Sequence, residues 1–309
     1  MKKIAAIASL VFAFPLTTLA QTAPPSGAVA RMVITLGHHY GNEVIAPVFK
    51  LGDISVMTPE YRPLTVTSLT PLRSAGLELF VLVDNCSSCE AGTRFQELSR
   101  FIGSQPSTTL VGMGYIQNGK LSVAENPTAD HERAVKALNT PSGSKPASPY
   151  DALKELIAVW RPGSARRAVL MVTNGINPTV KSREQDPSAE AAIAAAQRAG
   201  VTVYAIYHPS ADYATGDASR IYDGQIQMAH VAHDTGGEAY FVGFGPLPSI
   251  APFLSDIADH LANQYLLEFE ANPAAPSGSL QEVTVKYANN DVELMVPERA
   301  WVAGKTDRR

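Results

Sequence analysis

The chain has 309 residues, of which 45% are hydrophobic, and a formal net charge of −4. That length suits one large domain or two modest ones around a buried core. The mild acidity, with no basic run to interrupt it, argues against a nucleic-acid partner, and two cysteines in all exclude a disulfide-dense scaffold.

Residues 1–20 pair Lys2 and Lys3 with an apolar run from Ile4 to Phe14 and close on small residues at Thr18-Leu19-Ala20. This is the pattern of a cleaved export signal, so the mature chain is expected to begin at Gln21 and to work in the periplasm or outside the cell. The apolar run falls short of the roughly 20 residues that a membrane span needs, and no later stretch reaches that length, so no membrane insertion is expected. Without the two signal lysines the basic count falls from 25 to 23 against 29 acidic residues, a net charge of −6.

Residues 21–75 form an N-terminal β flank of short alternating patterns with no convincing amphipathic helix. Residues 264–309 form a similar C-terminal flank, in which Tyr265, Leu267 and Phe269 alternate with Glu268 and Glu270. The two are read as one β-sandwich-like subdomain, with Asn272–Ser279 as a surface loop inside it.

Between them, residues 76–263 alternate apolar runs with helix patterns, which predicts an α/β domain: a doubly wound, mostly parallel sheet. Its strands are expected at Leu77–Asp84, Thr108–Tyr115, Ala168–Thr173, Val201–Tyr207 and Glu238–Phe244. Asn118-Gly119 predicts a hairpin that adds one antiparallel edge strand. Helices are expected over Ala91–Ile102, Asp130–Leu138, Ser148–Trp160, Asp186–Gly200, Ser219–His233 and Ser249–Asn263.

The exit of the first strand of this domain reads Val81-Leu82-Val83-Asp84-Asn85-Cys86-Ser87-Ser88. It resembles the first strand of a von Willebrand factor A (vWA) domain, where an Asp-x-Ser-x-Ser motif opens a metal-ion-dependent adhesion site. The chain is similar, more narrowly, to the exported VWFA-related family first grouped in acidobacteria. Three further segments carry that likeness: Asn126-Pro127-Thr128-Ala129-Asp130, Ala232-His233-Asp234-Thr235-Gly236-Gly237-Glu238-Ala239-Tyr240, and Asn263-Gln264-Tyr265-Leu266-Leu267.

The resemblance implies a metal site of hard oxygen ligands, supplied by three loops at the carboxyl ends of neighbouring strands. Asp84 and Ser88 match it, whereas Cys86 stands where a serine belongs, Ala147 where a threonine belongs and Asn174 where an aspartate belongs. Ser148 could replace the threonine, but Pro149 and Asp151 favour reading it as a helix N-cap. Asp84 likewise has an ordinary reading, as a strand-end carboxylate capping the next helix. The metal site is therefore expected to be degenerate, with no cofactor and weak Mg²⁺ binding at most.

What the resemblance implies functionally is a non-enzymatic protein-binding module. Its rim is expected to lie in the loops Asn85–Glu90, Ser142–Ser148 and Asn174–Asn177, with Asn85, Ser87 and Asn177 among the contact residues. Two alternatives come from other classes. Cys86 and Cys89 lie between a strand and a helix start, as in thioredoxin-like redox proteins, although in an exported chain they also read as a structural disulfide. The β flanks, in turn, could serve a purely structural envelope assembly.

Several other features read as ordinary structure. Asp234-Thr235-Gly236 lacks the second copy an aspartic protease needs. His230 and His233 read as amphipathic-helix residues, His38-His39 as a turn, and Gly112-x-Gly114 and Gly243-x-Gly245 lack the third glycine of a phosphate loop.

Overall fold

The computed structural model describes residues 28–37, 50–84, 92–138, 145, 147–161, 163, 165–182, 184–209, 218–245, 247–288 and 293–303. The proposed signal segment, His38-His39 and the Asn85–Glu90 loop with both cysteines lie outside these residues.

The N-terminal flank supplies β1 (Val29–Gly37), a single 3-10 turn (Leu51–Asp53), β2 (Ile54–Met57), β3 (Pro63–Leu64) and β4 (Val66–Pro71). The α/β region follows with β5 (Leu77–Asp84), α1 (Gly92–Gly103), β6 (Thr109–Gln117), β7 (Lys120–Thr128), α2 (His131–Ala137), α3 (Pro149–Val159) and β8 (Arg166–Thr173). It continues through α4 (Pro187–Ala199), β9 (Val201–Tyr207), α5 (Ala218–Asp234), β10 (Ala239–Tyr240) and α6 (Ala251–Ala262). The C-terminal flank closes the chain with β11 (Gln264–Glu270), β12 (Ser279–Glu282), β13 (Thr284–Tyr287), β14 (Glu293–Met295) and β15 (Arg299–Val302).

The central sheet has the order β10-β9-β8-β5-β6-β7, with all neighbours parallel except the β6–β7 hairpin. At its turn Asn118 and Gly119 both take positive φ, 51° and 75°, the left-handed pair that a two-residue hairpin matching the sheet's twist requires. The chain winds from β5 to β6 on one side and returns to β8 on the other. The direction of winding therefore reverses between β5 and β8, and their carboxyl ends frame the crevice where such sheets bind ligands.

Helices cover both faces of this sheet. Leu79, Val81 and Val83 of β5 pack with Phe101, Ile102, Leu254 and Ile257, while Phe80 and Leu82 pack on the other face with Leu153, Leu156 and Ile193. Across the β5–β6 register Phe80 lies opposite Gly112. A Cβ at Gly112 would meet the Phe80 ring at 2.5 Å and one at Gly114 at 2.9 Å, so the two glycines make room for that ring. Their spacing is thus explained by packing.

Helix ends are tied by acidic side chains. Asp186 accepts from the backbone of Ser188 and Ala189 at the start of α4, and Gly200 closes that helix in the left-handed conformation. Buried Glu97, from α1, accepts from Ser249 Oγ and from the backbone N–H groups of Ile250 and Ala251, so one helix caps the start of another. Among the described residues no helix is long and apolar enough to cross a membrane.

The flanks interleave. A second sheet has the order β12-β15-β1-β11-β4, with β14 also paired to β1, and a small third sheet has the order β13-β2-β3. Strand β1 runs antiparallel to β11 from Val29↔Glu270 to Thr35↔Gln264, so residues more than 200 positions apart share one ladder. Ile34, Ile54, Val56, Leu267, Phe269 and Val302 form the core between these sheets.

One expected element is much shorter than predicted. The strand expected over Glu238–Phe244 ends at Tyr240, and Gly243 takes φ 62°, which breaks an extended run. Phe241, Val242 and Phe244 are left exposed.

Phe269 is wholly buried, so Phe269→Ala should cost about 3–5 kcal/mol through lost transfer energy and a residual cavity. Urea unfolding of the variant beside the unaltered chain measures it. A cost under about 1 kcal/mol would mean that the flanks do not share this core.

Candidate functional site

The carboxyl edge of the sheet assembles from the strand ends already named. At the crevice between β5 and β8, Thr173 Oγ1 donates to Asp84 Oδ2 at 3.1 Å. The same hydroxyl accepts from Gly175 N, also at 3.1 Å, and so holds the following loop to the strand end. Burial pushes the Asp84 carboxyl up to about 6, against which the Thr173 hydrogen bond acts in the lowering direction.

The loop after β8 is fixed by backbone packing and by Asx turns. Asn174 Oδ1 accepts from Ile176 N at 2.8 Å, and Asn177 Oδ1 accepts from Thr179 N and Thr179 Oγ1. Asn177 Nδ2 donates to Asp186 Oδ1, linking the rim to the cap of α4. Gly175 has φ 71°, and a Cβ there would fall 2.3 Å from the Gly224 carbonyl oxygen. A Cβ at Gly224 would fall 2.5 Å from the Asn174 carbonyl oxygen, so the loop and α5 meet backbone to backbone.

Ser148 stands at the N-cap of α3 with extended backbone, φ −61° and ψ 123°, but its side chain makes no capping bond. Its Oγ is buried without a hydrogen-bond partner among the described residues. The expectation of a hydroxyl cap is therefore corrected: Pro149, which lacks an N–H, starts the helix. The capping reading of Asp84 falls on a helix start that lies partly outside the described residues.

Three contributors were not singled out from the sequence: Thr173, His208 and Arg94. His208 N donates to the Thr173 carbonyl at 2.8 Å, and Arg94 Nη1 lies 3.3 Å from His208 Nδ1. Burial first, and then the Arg94 charge, hold the His208 imidazole down to about 4. It is thus neutral at pH 7, with Nδ1 accepting from Arg94. Beneath these groups Asp84, Arg94, Phe95, Leu98 and His208 line a small pit of about 20 Å³. A histidine directly after a strand carries no motif, which is why sequence reading passed over it.

The donor set is poor for a hard divalent ion. Asp84 is the one carboxylate at this crevice among the described residues, and the side-chain Oδ1 of Asn174 already accepts from Ile176 N. Mg²⁺ demands near-octahedral oxygen ligands, which an amide oxygen held elsewhere does not supply. Ser88 and Cys86 lie outside the described residues.

Beside this crevice opens a cleft of about 410 Å³ between the 175–186 loop and the first half of α5. Ile176, Val180 and Arg220 line it, with the exposed side chains of Tyr222 and Ile226. Arg220 donates to the carbonyls of Val180 and Pro178, which pins the loop across the helix. On the other side of α5, Gln225 Nε2 donates to the Gly243 carbonyl and fixes the exposed 241–244 segment.

The two α5 histidines are engaged by one carboxylate. His230 Nε2 lies 3.0 Å from Asp234 Oδ2, and His233 Nδ1 lies 3.1 Å from Asp234 Oδ1. Thr235 Oγ1, bonded to the carbonyls of Val231 and Ala232, then ends the helix. The Asp-Thr-Gly run is thus a helix terminus.

No family model matches the chain, and no curated protein matches it. Its structural neighbours are loose likenesses of the vWA type. The vWF domain of the type V pili tip protein Mfa5 from Porphyromonas gingivalis overlays with a TM-score of 0.42 at 10% identity, over 61% of this chain and 94% of that one. The pilus adhesin SpaC from Lactobacillus rhamnosus GG gives 0.42 at 10% identity, over 80% of this chain and 47% of that one. Proximal thread matrix protein 1 from the mussel byssus gives 0.43 at 14% identity, over 61% and 48%. The chain thus spans about half the length of two of these three. At such values the overlays are coarse likenesses of architecture and carry no functional weight.

Asp84 supplies a pH test. A carboxyl that titrates near 6 when folded and near 3.8 when unfolded binds more protons in the folded state between those values, so it removes stability as pH rises through that window. His208, held near 4 against a usual 6.5, acts oppositely and adds stability as pH rises from 4 to 6.5. Asp84→Asn should therefore be more stable than the unaltered chain at pH 7, by about 2 kcal/mol after allowing for solvent screening, with the difference vanishing near pH 4. Urea unfolding at a series of pH values measures it, and a difference that does not change with pH would contradict the burial of this carboxyl.

Proposed function

We propose that this chain is an exported, non-enzymatic protein-binding module that captures a protein partner at the carboxyl edge of its parallel sheet, without a metal at the Asp84 crevice. The observation that carries this reading is the open cleft beside the crevice, with Tyr222 and Ile226 exposed at 56% and 45% on a helix whose position is fixed by Gly175 and Gly224. Apolar and aromatic side chains held on a rigid element, rimmed by Lys181, Arg220 and Asp223, have the make-up of a recognition surface.

The N-terminal signal pattern supports export to the periplasm or beyond. Asn177 and Asn174 belong to the rim in this reading, together with Asn85, Ser87 and Ser148. Metal independence is supported by Asp84 standing as the one carboxylate at the crevice among the described residues, and by Asn174 Oδ1 accepting from Ile176 N.

The test is crosslinking capture from native envelope and medium fractions, read by mass spectrometry, in buffer without Mg²⁺ or Mn²⁺. The double variant Tyr222→Ala/Ile226→Ala should lose the partner at least about tenfold, or ~1.4 kcal/mol. Substitutions on the exposed flank face should leave it. Loss only with the flank variants would favour structural assembly, and dithiol-dependent turnover of a disulfide substrate would favour redox chemistry. In parallel, calorimetry at millimolar Mg²⁺ should show no saturable binding tighter than about 100 μM, roughly −5.5 kcal/mol, that Asp84→Ala abolishes. Such binding would show a live metal crevice.

A further inference from the structure

Away from the carboxyl-edge crevice, Glu238, Asp256 and His260 bring one donor atom each to within 4.8 Å of one another. They come from the residue before β10 and from one face of α6, where Asp256 and His260 are a single turn apart. The geometry points to a site for one borderline divalent transition ion, Zn²⁺ foremost, held by Glu238, Asp256 and His260 beside the end of β1.

The surroundings orient both α6 ligands. Tyr240 Oη donates to Asp256 Oδ2 at 2.8 Å. His260 Nδ1 lies 3.4 Å from the same hydroxyl. The other ring nitrogen, Nε2, lies 3.7 Å from Asp256 Oδ1, the oxygen that Tyr240 does not hold. A nitrogen and an oxygen each about 2 Å from one ion lie roughly 3–4 Å apart, so this pair already has a ligand–ligand spacing. Hydrogen bonding of a ligand's far atom is how metal sites fix tautomer and orientation. The His260 ring, 2% exposed, is also stacked on Tyr204 with centroids 6.1 Å apart.

Two further observations are independent of that geometry. The charge is one-sided: among the described residues no Lys or Arg lies within ion-pair distance of Glu238 or Asp256. The approach to Nε2 is also kept clear by a glycine, since a Cβ at Gly37 would lie 3.3 Å from that nitrogen and 3.1 Å from Met295 Cε. An imidazole with two carboxylates is the mixed set that suits Zn²⁺, while the nitrogen ligand and the small oxygen count disfavour Ca²⁺ and Mg²⁺. Three protein ligands leave a fourth position for water. Because Gly37 and Glu293 belong to β1 and β14, a bound ion would stiffen the contact between the α/β sheet edge and the flank sheet.

The test is calorimetric titration of the full, metal-stripped chain with Zn²⁺ at pH 7.5, with thermal unfolding and the visible spectrum of the Co²⁺ form recorded alongside. We expect one ion per chain with micromolar or tighter affinity, a rise of several degrees in Tm, and a Co²⁺ spectrum of a low-coordinate N/O site. Glu238→Gln and Asp256→Asn, conservative in shape, should each weaken binding at least about tenfold, and Tyr240→Phe should weaken it less by releasing Asp256. Asp84→Ala at the carboxyl edge should not change it. If His260→Gln fails to fold, the two carboxylate variants still decide. Substoichiometric binding, or binding that survives both Glu238→Gln and Asp256→Asn, would overturn the proposal and leave the cluster as a proton-sharing network.

Discussion

Strand β5 is hydrogen-bonded on both edges, to β6 and β8, and covered on both faces, so Leu79 to Val83 are almost wholly removed from water. A strand in that position has no solvent face, and its sequence must be apolar without alternation. The same constraint demands helices on both sides of the sheet, which short helical crossovers between parallel strands provide. It also makes the strand's exit the first place where a polar group can stand. Asp84 occupies that place, and the Thr173 hydroxyl from the adjacent strand meets it.

This constraint explains what was legible in the sequence. Continuous apolar runs at Val81-Leu82-Val83 and Val169-Leu170-Met171-Val172 mark central strands because burial on both faces leaves no other composition open to them. Helix limits were legible where side chains or backbone freedom do the work locally, as at Asp186-Pro187 and Gly200. The hairpin at Asn118-Gly119 was legible for the same reason, since few residue pairs tolerate two positive φ values.

What could not be read depended on partners distant in sequence. Glu97 caps α6 from 153 positions away, and nothing in its own neighbourhood announces it. The shared core of the flanks was suggested by patterning, but the β1–β11 register rests on pairings such as Ile34↔Tyr265. Glu238–Phe244 looked like a strand because its composition is right. It stops at Tyr240 because Gly243 turns the chain, and the outer edge of β10 offers no partner strand among the described residues. At the crevice the sequence named Asp84, Ser148 and Asn174, but not that Asn174 would spend its oxygen on Ile176 N, nor that Ser148 would leave its cap bond unmade.

The two acidic sites of the molecule meet the same physical problem in different ways. A carboxylate withdrawn from water must be protonated, hydrogen-bonded or paired with a cation. Among the described residues Asp84 has one hydrogen-bond donor, Thr173, and burial raises its titration point to about 6. At pH 7 it therefore remains mostly ionised, against an opposing desolvation cost. Glu238 and Asp256 instead stand beside one another and beside His260, with Tyr240 Oη donating to Asp256. Two anionic oxygens converging on a buried imidazole nitrogen favour a divalent ion far more than one carboxylate does. The resemblance points to a metal at the end of β5, whereas two carboxylates and an imidazole come within 4.8 Å of one another at α6 and beside β10.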